Sequence, residues 1–257
     1  RVTAENERIE SELKIARNIQ ASMLPRVFPP FPERRELDIF ATMIPAKEVG
    51  GDLYDFFFID ENRLCFLIGD VSGKGVPAAL FMAITKILLK REAMQKVSPD
   101  EILARVNSVI VPDNDACMFV TLFCAVLDTK TGRIEYANGG HNPPLLTRQG
   151  RGFEYMDVSC GFVVGAMKEI NFKKGADVLG EGDTIFLYTD GVTEAMNPNK
   201  EMFSEKRLKD VLCGLKDKDS AAIVEGVKHR IDEFTQGAQQ SDDITMLALR
   251  FKGNNSG

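Results

Sequence analysis

The most informative stretch of the sequence is Leu64-Cys65-Phe66-Leu67-Ile68-Gly69-Asp70-Val71-Ser72-Gly73-Lys74-Gly75. In it, an apolar run ends at an aspartate in a glycine-rich turn. Such a run, bounded by turn residues, indicates a buried strand. A P-loop is excluded, since only three residues separate Gly69 from Gly73 and Gly75 follows Lys74. The stretch therefore predicts a strand that delivers Asp70 to a cation site. The alternative is a plain turn in which Asp70 caps the next helix.

Three more aspartate motifs lie outward from this stretch: Gly50-Gly51-Asp52-Leu53-Tyr54-Asp55, Tyr188-Thr189-Asp190-Gly191 and Ser241-Asp242-Asp243-Ile244-Thr245. Each motif alone is more typical of a turn, but together they place acids beside four strand-like runs. Carboxylates gathered in one cleft raise each other's pKa, and Mg²⁺ or Mn²⁺ is the usual counter-ion. The four motifs together predict a metal-dependent enzyme, with phosphoryl chemistry as the leading reaction class.

Composition narrows the protein class. The chain has 257 residues, of which 44% are apolar and 27% charged, as in an ordinary globular protein. A net charge of -6 gives no electrostatic case for nucleic-acid binding, and no apolar run approaches the roughly 20 residues of a membrane span. The five cysteines form no C-x-x-C pair, which argues against zinc and disulfide frameworks and favours a reducing cytoplasm. Because the sequence begins at Arg1 inside a helical pattern, we expect a fragment of a longer protein.

Residues 1–24 predict a helix with a coiled-coil-like seam. Apolar and polar residues recur at alternating steps of three and four, at Val2, Asn6, Ile9, Leu13, Ala16, Gln20 and Met23. In this interpretation Asn6 and Gln20 set the register, and Ile9, Leu13, Ala16 and Met23 carry a regulatory contact. Pro25 and the proline-rich residues 28–32 end the helix. An amphipathic helix packed on its own domain is the alternative.

The remaining pattern predicts mostly strands joined by hairpins, with the helices in pairs. We expect strands at residues 37–44, 53–59, 63–68, 119–128, 133–137, 144–148, 152–157, 171–178, 183–189 and 244–251. We expect helices at 76–94, 98–111, 204–213 and 221–234, and a disordered tail at 253–257. The helix at 76–94 shows an apolar stripe at Leu80, Ala83, Ile84, Ile87 and Leu88. This order is typical of an α+β fold with antiparallel sheets rather than of alternating βαβ units.

The two histidines offer little catalytic signal. His229 falls in a predicted helix, where we expect it to be exposed to solvent. His141 lies in the turn Asn138-Gly139-Gly140-His141-Asn142-Pro143-Pro144. His141 either serves the site or has a structural role in that turn. With no G-x-S-x-G motif, a Ser-His-Asp hydrolase is weakly supported.

Five ordered motifs carry a resemblance to a known family. They are Gly-Gly-Asp-Leu-Tyr-Asp, Gly-Asp-Val-Ser-Gly-Lys-Gly-Val-Pro-Ala-Ala-Leu-Phe-Met, Ala-Asn-Gly-Gly-His-Asn-Pro-Pro-Leu, Tyr-Thr-Asp-Gly-Val-Thr-Glu-Ala and Asp-Asp-Ile-Thr. In this order they resemble the bacterial sporulation-stage-II-E and RsbU-type branch of the metal-dependent (PPM, type-2C-like) serine/threonine protein phosphatases. The resemblance covers residues 15–252.

This resemblance implies a fold and a site. The fold is an antiparallel β-sandwich flanked by helices on both sides, which assigns residues 25–252 to the phosphatase domain and 1–24 to a linker. The site holds two Mn²⁺ or Mg²⁺ ions, and the implied ligands are Asp52, Asp70, the Val71 carbonyl, Asp190, Asp242 and, less directly, Asp243 and Asp55. No arginine stands just before Asp52, so Lys74 is the candidate phosphate contact, with His141 as a second.

The resemblance also implies a function. The chain would hydrolyse phosphoserine or phosphothreonine on a regulatory protein of the anti-anti-sigma (STAS) type, using a metal-activated water. It would work in the cytoplasm as a homodimer, behind a sensor or receiver domain. Two alternatives stay open: an inactive dimeric signalling module of the same fold, and a two-metal phosphohydrolase acting on nucleotides or small phosphoesters.

Overall fold

A computed structural model describes residues 2–149, 151–159 and 161–253, with side chains from residue 5 onward. The helices are α1 (Val2–Met23), α2 (Val76–Ala93), α3 (Pro99–Ile110), α4 (Asp190–Thr193), α5 (Ser204–Leu215) and α6 (Ser220–Thr235), with a 3₁₀ turn at Val111–Asp113. The strands are β1 (Leu37–Ile44), β2 (Leu53–Phe58), β3 (Arg63–Val71), β4 (Val120–Asp128), β5 (Arg133–Gly139), β6 (Leu145–Thr147), β7 (Phe153–Tyr155), β8 (Lys174–Val178), β9 (Thr184–Tyr188) and β10 (Ile244–Phe251).

The strands form two five-stranded sheets, and their pairings are antiparallel. One sheet has the order β1-β10-β9-β6-β7 and the other β2-β3-β4-β5-β8. Helices α2 and α3 pack on the second sheet, and α5 and α6 pack on the first. The predicted sandwich with helices on both sides is confirmed.

Short connections hold the strands in register. The Asp60 carboxylate accepts hydrogen bonds from the backbone amides of Asn62 and Arg63, which closes the β2–β3 hairpin. Helix α3 begins with a capping box, in which Ser98 and Glu101 are the two members. Helix α2 is capped by Gly75 at φ 78° without a side-chain bond, so Asp70 is not its cap.

The apolar stripe of α2 faces solvent. Leu80, Ile84 and Ile87 are 63%, 56% and 61% exposed, although stripes of this spacing usually face a core. The buried face instead carries Ala78, Met82 and Leu89, among other residues. Helix α2 therefore presents an apolar stripe outward, and periodicity alone does not say which of two faces is covered.

Helix α1 packs on its own domain at its C-terminal end. Ile9 is exposed, whereas Leu13, Ala16 and Met23 are half-buried. Gln20, one of the two expected register residues, is 6% exposed, and its side-chain amide bonds the backbone of Gly50 in both directions, at 2.6 and 3.0 Å. The expected tail at 253–257 lies outside the described residues except for Gly253.

None of the described helices is long and apolar enough to cross a membrane.

Candidate active site

Four strand ends meet at one edge of the sandwich. In the antiparallel pair β2–β3, Leu53 lies opposite Gly69, so the start of β2 adjoins the end of β3. In the pair β9–β10, Tyr188 lies opposite Met246, which brings the end of β9 beside the start of β10. The pairs β2–β3 and β9–β10 belong to different sheets. The sandwich thus gathers the four aspartate motifs, which span nearly two hundred residues of sequence, in one cleft.

Asp52 lies at the bottom of this cleft and is 1% exposed. Its Oδ2 accepts hydrogen bonds from Thr189 Oγ1 at 2.7 Å and Thr245 Oγ1 at 2.5 Å. Burial, followed by the charges of Asp70 and Asp243, raises the pKa of Asp52 well above its usual value. The two threonines hold the carboxylate in place without supplying a compensating charge.

Asp70 and Asp190 also have raised pKa values, for the same reasons as Asp52. Burial, followed by the charges of Asp190 and Asp242, raises the pKa of Asp70 to about 7, and a hydrogen bond with Asp52 partly opposes this rise. Burial, followed by the charges of Glu194 and Asp242, also raises the pKa of Asp190. Asp190 is the first residue of the one-turn helix α4, which the sequence pattern did not predict. The cleft holds more negative charge than its own basic residues balance.

Lys74 is the basic side chain that the structure places in the cleft. Its ammonium donates to Asp242 Oδ2 at 2.7 Å and to the Ser241 carbonyl at 2.6 Å. Partial burial lowers the pKa of Lys74, but the hydrogen bond and charge of Asp242 outweigh it and raise the pKa overall. Lys74 therefore competes with any cation for Asp242.

The Asp243 carboxylate hydrogen-bonds to backbone amides rather than facing the open cleft. Its Oδ1 accepts from the Ala46 amide at 2.8 Å and its Oδ2 from the Gly51 amide at 2.7 Å. A Cβ at Gly50 would lie 2.1 Å from the same carboxylate, so glycine is required for this approach. Asp243 thus anchors the loop before Asp52, and each of its carboxylate oxygens accepts a backbone amide hydrogen bond.

The Val71 carbonyl lies beside Gly51. A Cβ at Gly51 would come within 2.9 Å of this oxygen, so the glycine keeps space open in front of a predicted backbone ligand.

Asp55 points away from the cleft. It is 3% exposed, and its carboxylate forms an ion pair with Lys86 of α2. A direct role as a metal ligand, which the resemblance left open, is not supported by this placement.

His141 is buried behind the cleft, at 4% exposure. Its Nδ1 lies 2.8 Å from Thr121 Oγ1, and its Nε2 lies 3.0 Å from the Tyr188 carbonyl. Burial lowers the pKa of His141 to about 4, so the ring is neutral at ordinary pH. Thr121 pairs with Asp70 in the β3–β4 ladder, and Tyr188 ends β9. His141 therefore links the two sheets beneath the acids and does not reach the cleft surface.

The acidic side chains provide the kind of ligand atom that divalent cations bind. Carboxylates with raised pKa and an open carbonyl are the oxygen ligands that Mg²⁺ and Mn²⁺ take. Within residues 2–149, 151–159 and 161–253, no three carboxylate, histidine or cysteine side chains converge closely enough as they stand to ligate one ion. Asp242 is held by Lys74, and Asp243 by backbone amides. The donor set fits a metal, with one Asp242 oxygen paired to Lys74 as the site stands.

Sequence reasoning missed the residues that hold the acids. Thr189 and Thr245 both bond Asp52, and Gln20 bonds Gly50. The two threonines lie inside the quoted aspartate motifs, so the motifs themselves contained the signal. Gln20 had no local signal, because its partner lies thirty residues away.

The family assignment follows from a match to a family model. Residues 60–252 match the model of stage II sporulation protein E. The chain belongs to this family. The matched segment contains three of the four aspartate motifs and the whole of β3 to β10.

Two curated relatives extend this assignment over nearly the whole chain. The phosphoserine phosphatase RsbU of Bacillus subtilis is 32% identical over 95% of this chain and 71% of RsbU. The protein IcfG of Synechocystis sp. is 32% identical over 93% of this chain, which spans 41% of that relative. This chain is accordingly a phosphoprotein phosphatase domain of the SpoIIE and RsbU type.

Solved structures agree on the fold. The SiaA-PP2C domain of Pseudomonas aeruginosa superimposes with a TM-score of 0.82 at 22% identity, covering 96% of this chain and 99% of that one. The structure of RsbX in complex with magnesium superimposes with a TM-score of 0.63 at 17% identity, covering 85% of this chain and 96% of that one. At these identities the likeness shows the fold alone.

Proposed function

We propose that this chain is a metal-dependent protein serine phosphatase acting on a phosphorylated regulatory protein of the anti-anti-sigma type. One observation carries the proposal: Asp52, Asp70, Asp190 and Asp242 come from both sheets to one edge, and the pKa of the first three is raised. Residues 25–252 form the catalytic domain in this proposal. The family assignment and the named phosphoserine phosphatase RsbU support it.

The four aspartates and the Val71 carbonyl would hold two Mn²⁺ or Mg²⁺ ions. When bound, these cations supply the positive charge that activates a water molecule and neutralises phosphoryl oxygens. Thr189 and Thr245 orient Asp52, and Asp243 keeps the Gly50–Gly51 turn against β10. The chain thus holds Asp52 and the Gly50–Gly51 turn in place before the substrate arrives, and Asp242 is the ligand that would have to move.

Lys74 would contact the phosphate once Asp242 turns to a metal. Its ammonium already lies at the mouth of the cleft, with the side chain 41% exposed. A phosphoryl group would replace Asp242 as the anionic partner of Lys74. His141 would have a structural role only, because it is buried between the sheets.

The test compares wild type with Asp190→Asn for Mn²⁺-dependent hydrolysis of p-nitrophenyl phosphate and of a phosphoserine protein. We expect turnover that EDTA abolishes and that Asp190→Asn lowers about 10³-fold, because a ligand is lost. Asp217→Asn, an exposed aspartate in the turn after α5, is the matched control. Wild type without turnover at millimolar Mn²⁺, while folded and metal-bound, would overturn the proposal.

Two alternatives predict different outcomes. An inactive signalling module is favoured by the Lys74–Asp242 ion pair, and it predicts no turnover of any phosphoester. A two-metal phosphohydrolase for nucleotides or small phosphoesters predicts turnover of those compounds but not of the phosphoprotein.

Regulation would act through α1 and α2. Gln20 of α1 bonds Gly50, which lies two residues before Asp52. Helix α2 begins directly after the loop that follows Asp70 and carries Lys74. We propose that an upstream sensor or receiver domain turns α1 within a homodimer and so frees Asp242. The exposed apolar stripe of α2 supports a partner on this face.

Deletion of residues 1–24 tests this regulation. We expect the shortened chain to change its oligomeric state in sedimentation and its Mn²⁺ concentration for half-maximal activity. If neither quantity changes, the linker has no regulatory role.

A further inference from the structure

A groove adjoins the acidic cleft and plays no part in the chemistry above. It has a volume of about 270 Å³ and lies between the C-terminal end of α6, the segment after α4 and the loop at 237–241. Gly191 and Ser241 belong to its lining, and they are the chain neighbours of Asp190 and Asp242. The groove therefore begins one residue away from two of the proposed metal ligands.

The loop that forms one wall is held in place. Gln236 and Gly237 adopt left-handed conformations, with φ of 49° and 80°, and turn the chain back toward the cleft after α6. The side-chain amide of Gln240 then donates to the Ile44 carbonyl at 2.8 Å and to the Asp242 carbonyl at 2.7 Å. The groove is built by the fold, because its wall is tied both to β1 and to the site.

The lining is almost uncharged and combines apolar side chains with neutral polar ones. Ile231 and Ile244 are buried at its floor, and Met196 is 36% exposed at its side. Asp232 is the lining residue with an ionisable side chain, and its carboxylate forms an ion pair with Lys228. The cleft at its end is acidic. An apolar side chain would be favoured in such a groove, and an acidic one would be repelled.

We propose that this groove binds an uncharged, apolar side chain of the substrate protein within a few residues of the phosphoserine. The inference rests on the proposed phosphatase function and adds a preference for the substrate residues that flank the phosphoserine. Its volume falls below the roughly 300–1,000 Å³ of small-molecule pockets, so it suits part of a peptide. An extended peptide advances about 3.3 Å per residue, so a phosphoserine in the cleft places its near neighbours at the groove.

The test measures kcat/KM for three probes with Mn²⁺: p-nitrophenyl phosphate, a phosphoserine peptide flanked by leucines, and the same peptide flanked by glutamates. We expect wild type to prefer the leucine peptide over the glutamate peptide by about tenfold, the usual scale for a side chain in an apolar pocket. Met196→Glu should remove most of this preference. Met202→Glu is the matched control, since Met202 is exposed and pairs with Met196 through the backbone but does not line the groove.

An added positive charge provides a second variant at an exposed position. Gln239→Lys places a positive charge on the groove wall and should raise kcat/KM for the glutamate peptide several-fold. The groove assignment is overturned if wild type uses both peptides equally, or if Met196→Glu and Met202→Glu change the preference alike. If wild type turns over none of the three probes, the proposed phosphatase function itself has failed, which is a different result.

Discussion

Asp52 and Asp55 lie three residues apart in one motif and are both buried, yet their surroundings differ. Asp52 faces the cleft, where two threonine hydroxyls bond it and the neighbouring charges are those of Asp70 and Asp243. Asp55 faces α2, where Lys86 pairs with it. Asp52 directly precedes β2 and Asp55 lies within it, so the two carboxylates lie in different surroundings.

The difference shows how each buried charge is balanced. Asp55 has its positive partner within the chain, so its role is to join β2 to α2. Asp52 and its neighbours have too little positive charge around them, so their balance must come from protons or from a bound cation. A buried acid without a basic partner is the better indicator of a metal-binding site in this molecule.

The largest expected effect comes from removing the charge of Asp52. Asp52→Asn should lower Mn²⁺-dependent turnover by about 10³-fold, on the order of 4 kcal/mol, because a ligand of the acidic cleft is lost. Its stability without metal should stay the same or rise, since like-charge repulsion falls. Turnover and urea unfolding in EDTA measure both. Unchanged turnover would place the metal site elsewhere.

Lys86→Met should act on stability. It leaves the buried Asp55 carboxylate unpaired and should lower the free energy of unfolding by about 3 kcal/mol. Lys209→Met is the matched control, because Lys209 also joins a helix to a strand carboxylate, that of Glu154, but at the surface. Urea unfolding should not distinguish this control from wild type.

The double variant Asp55→Leu with Lys86→Met sharpens this test. Replacing both partners with apolar residues should recover most of the lost stability, since neither charge is left buried alone. If the single Lys86→Met variant is as stable as wild type, Asp55 does not depend on Lys86 and the comparison with Asp52 fails.

The pH dependence of stability should follow the raised pKa of Asp70. Because the folded state binds this proton more tightly, its contribution is complete below about pH 3.8 and is lost as pH rises through about 7. Unfolding in EDTA at pH 5–8, compared with Asp70→Asn, isolates this contribution from other groups. Saturating Mn²⁺ should reduce the decline, because it replaces the proton. Parallel curves for the two proteins would contradict the prediction.

The smallest effect is expected at His141. His141→Gln should lower the free energy of unfolding by about 1–2 kcal/mol, through weaker links to Thr121 and the Tyr188 carbonyl. With its pKa lowered to about 4, His141 contributes stability above its unfolded pKa that is lost as pH falls through about 4. The pH profile of turnover should keep its shape in this variant. Loss of turnover at unchanged stability would instead indicate contact with the substrate.

Much of the fold was predictable because each signal is local. The strand at β10 has the predicted bounds, and those of most other elements differ by a few residues. The one-turn helix α4 was missed because four residues show no period. The exposed stripe of α2 was not anticipated, since α2 carries apolar residues on both faces and only packing decides which face is covered.

Local sequence patterns were enough to predict the strands and turns along the chain and the four aspartate motifs, because these depend on neighbours a few residues away. Which acids come together and which are neutralised depends on the packing of distant segments. Asp55 meets Lys86, Asp242 meets Lys74 and Gln20 meets Gly50 across separations of 31, 168 and 30 residues. Such partners are chosen by how sheets and helices pack, and no local pattern records that choice.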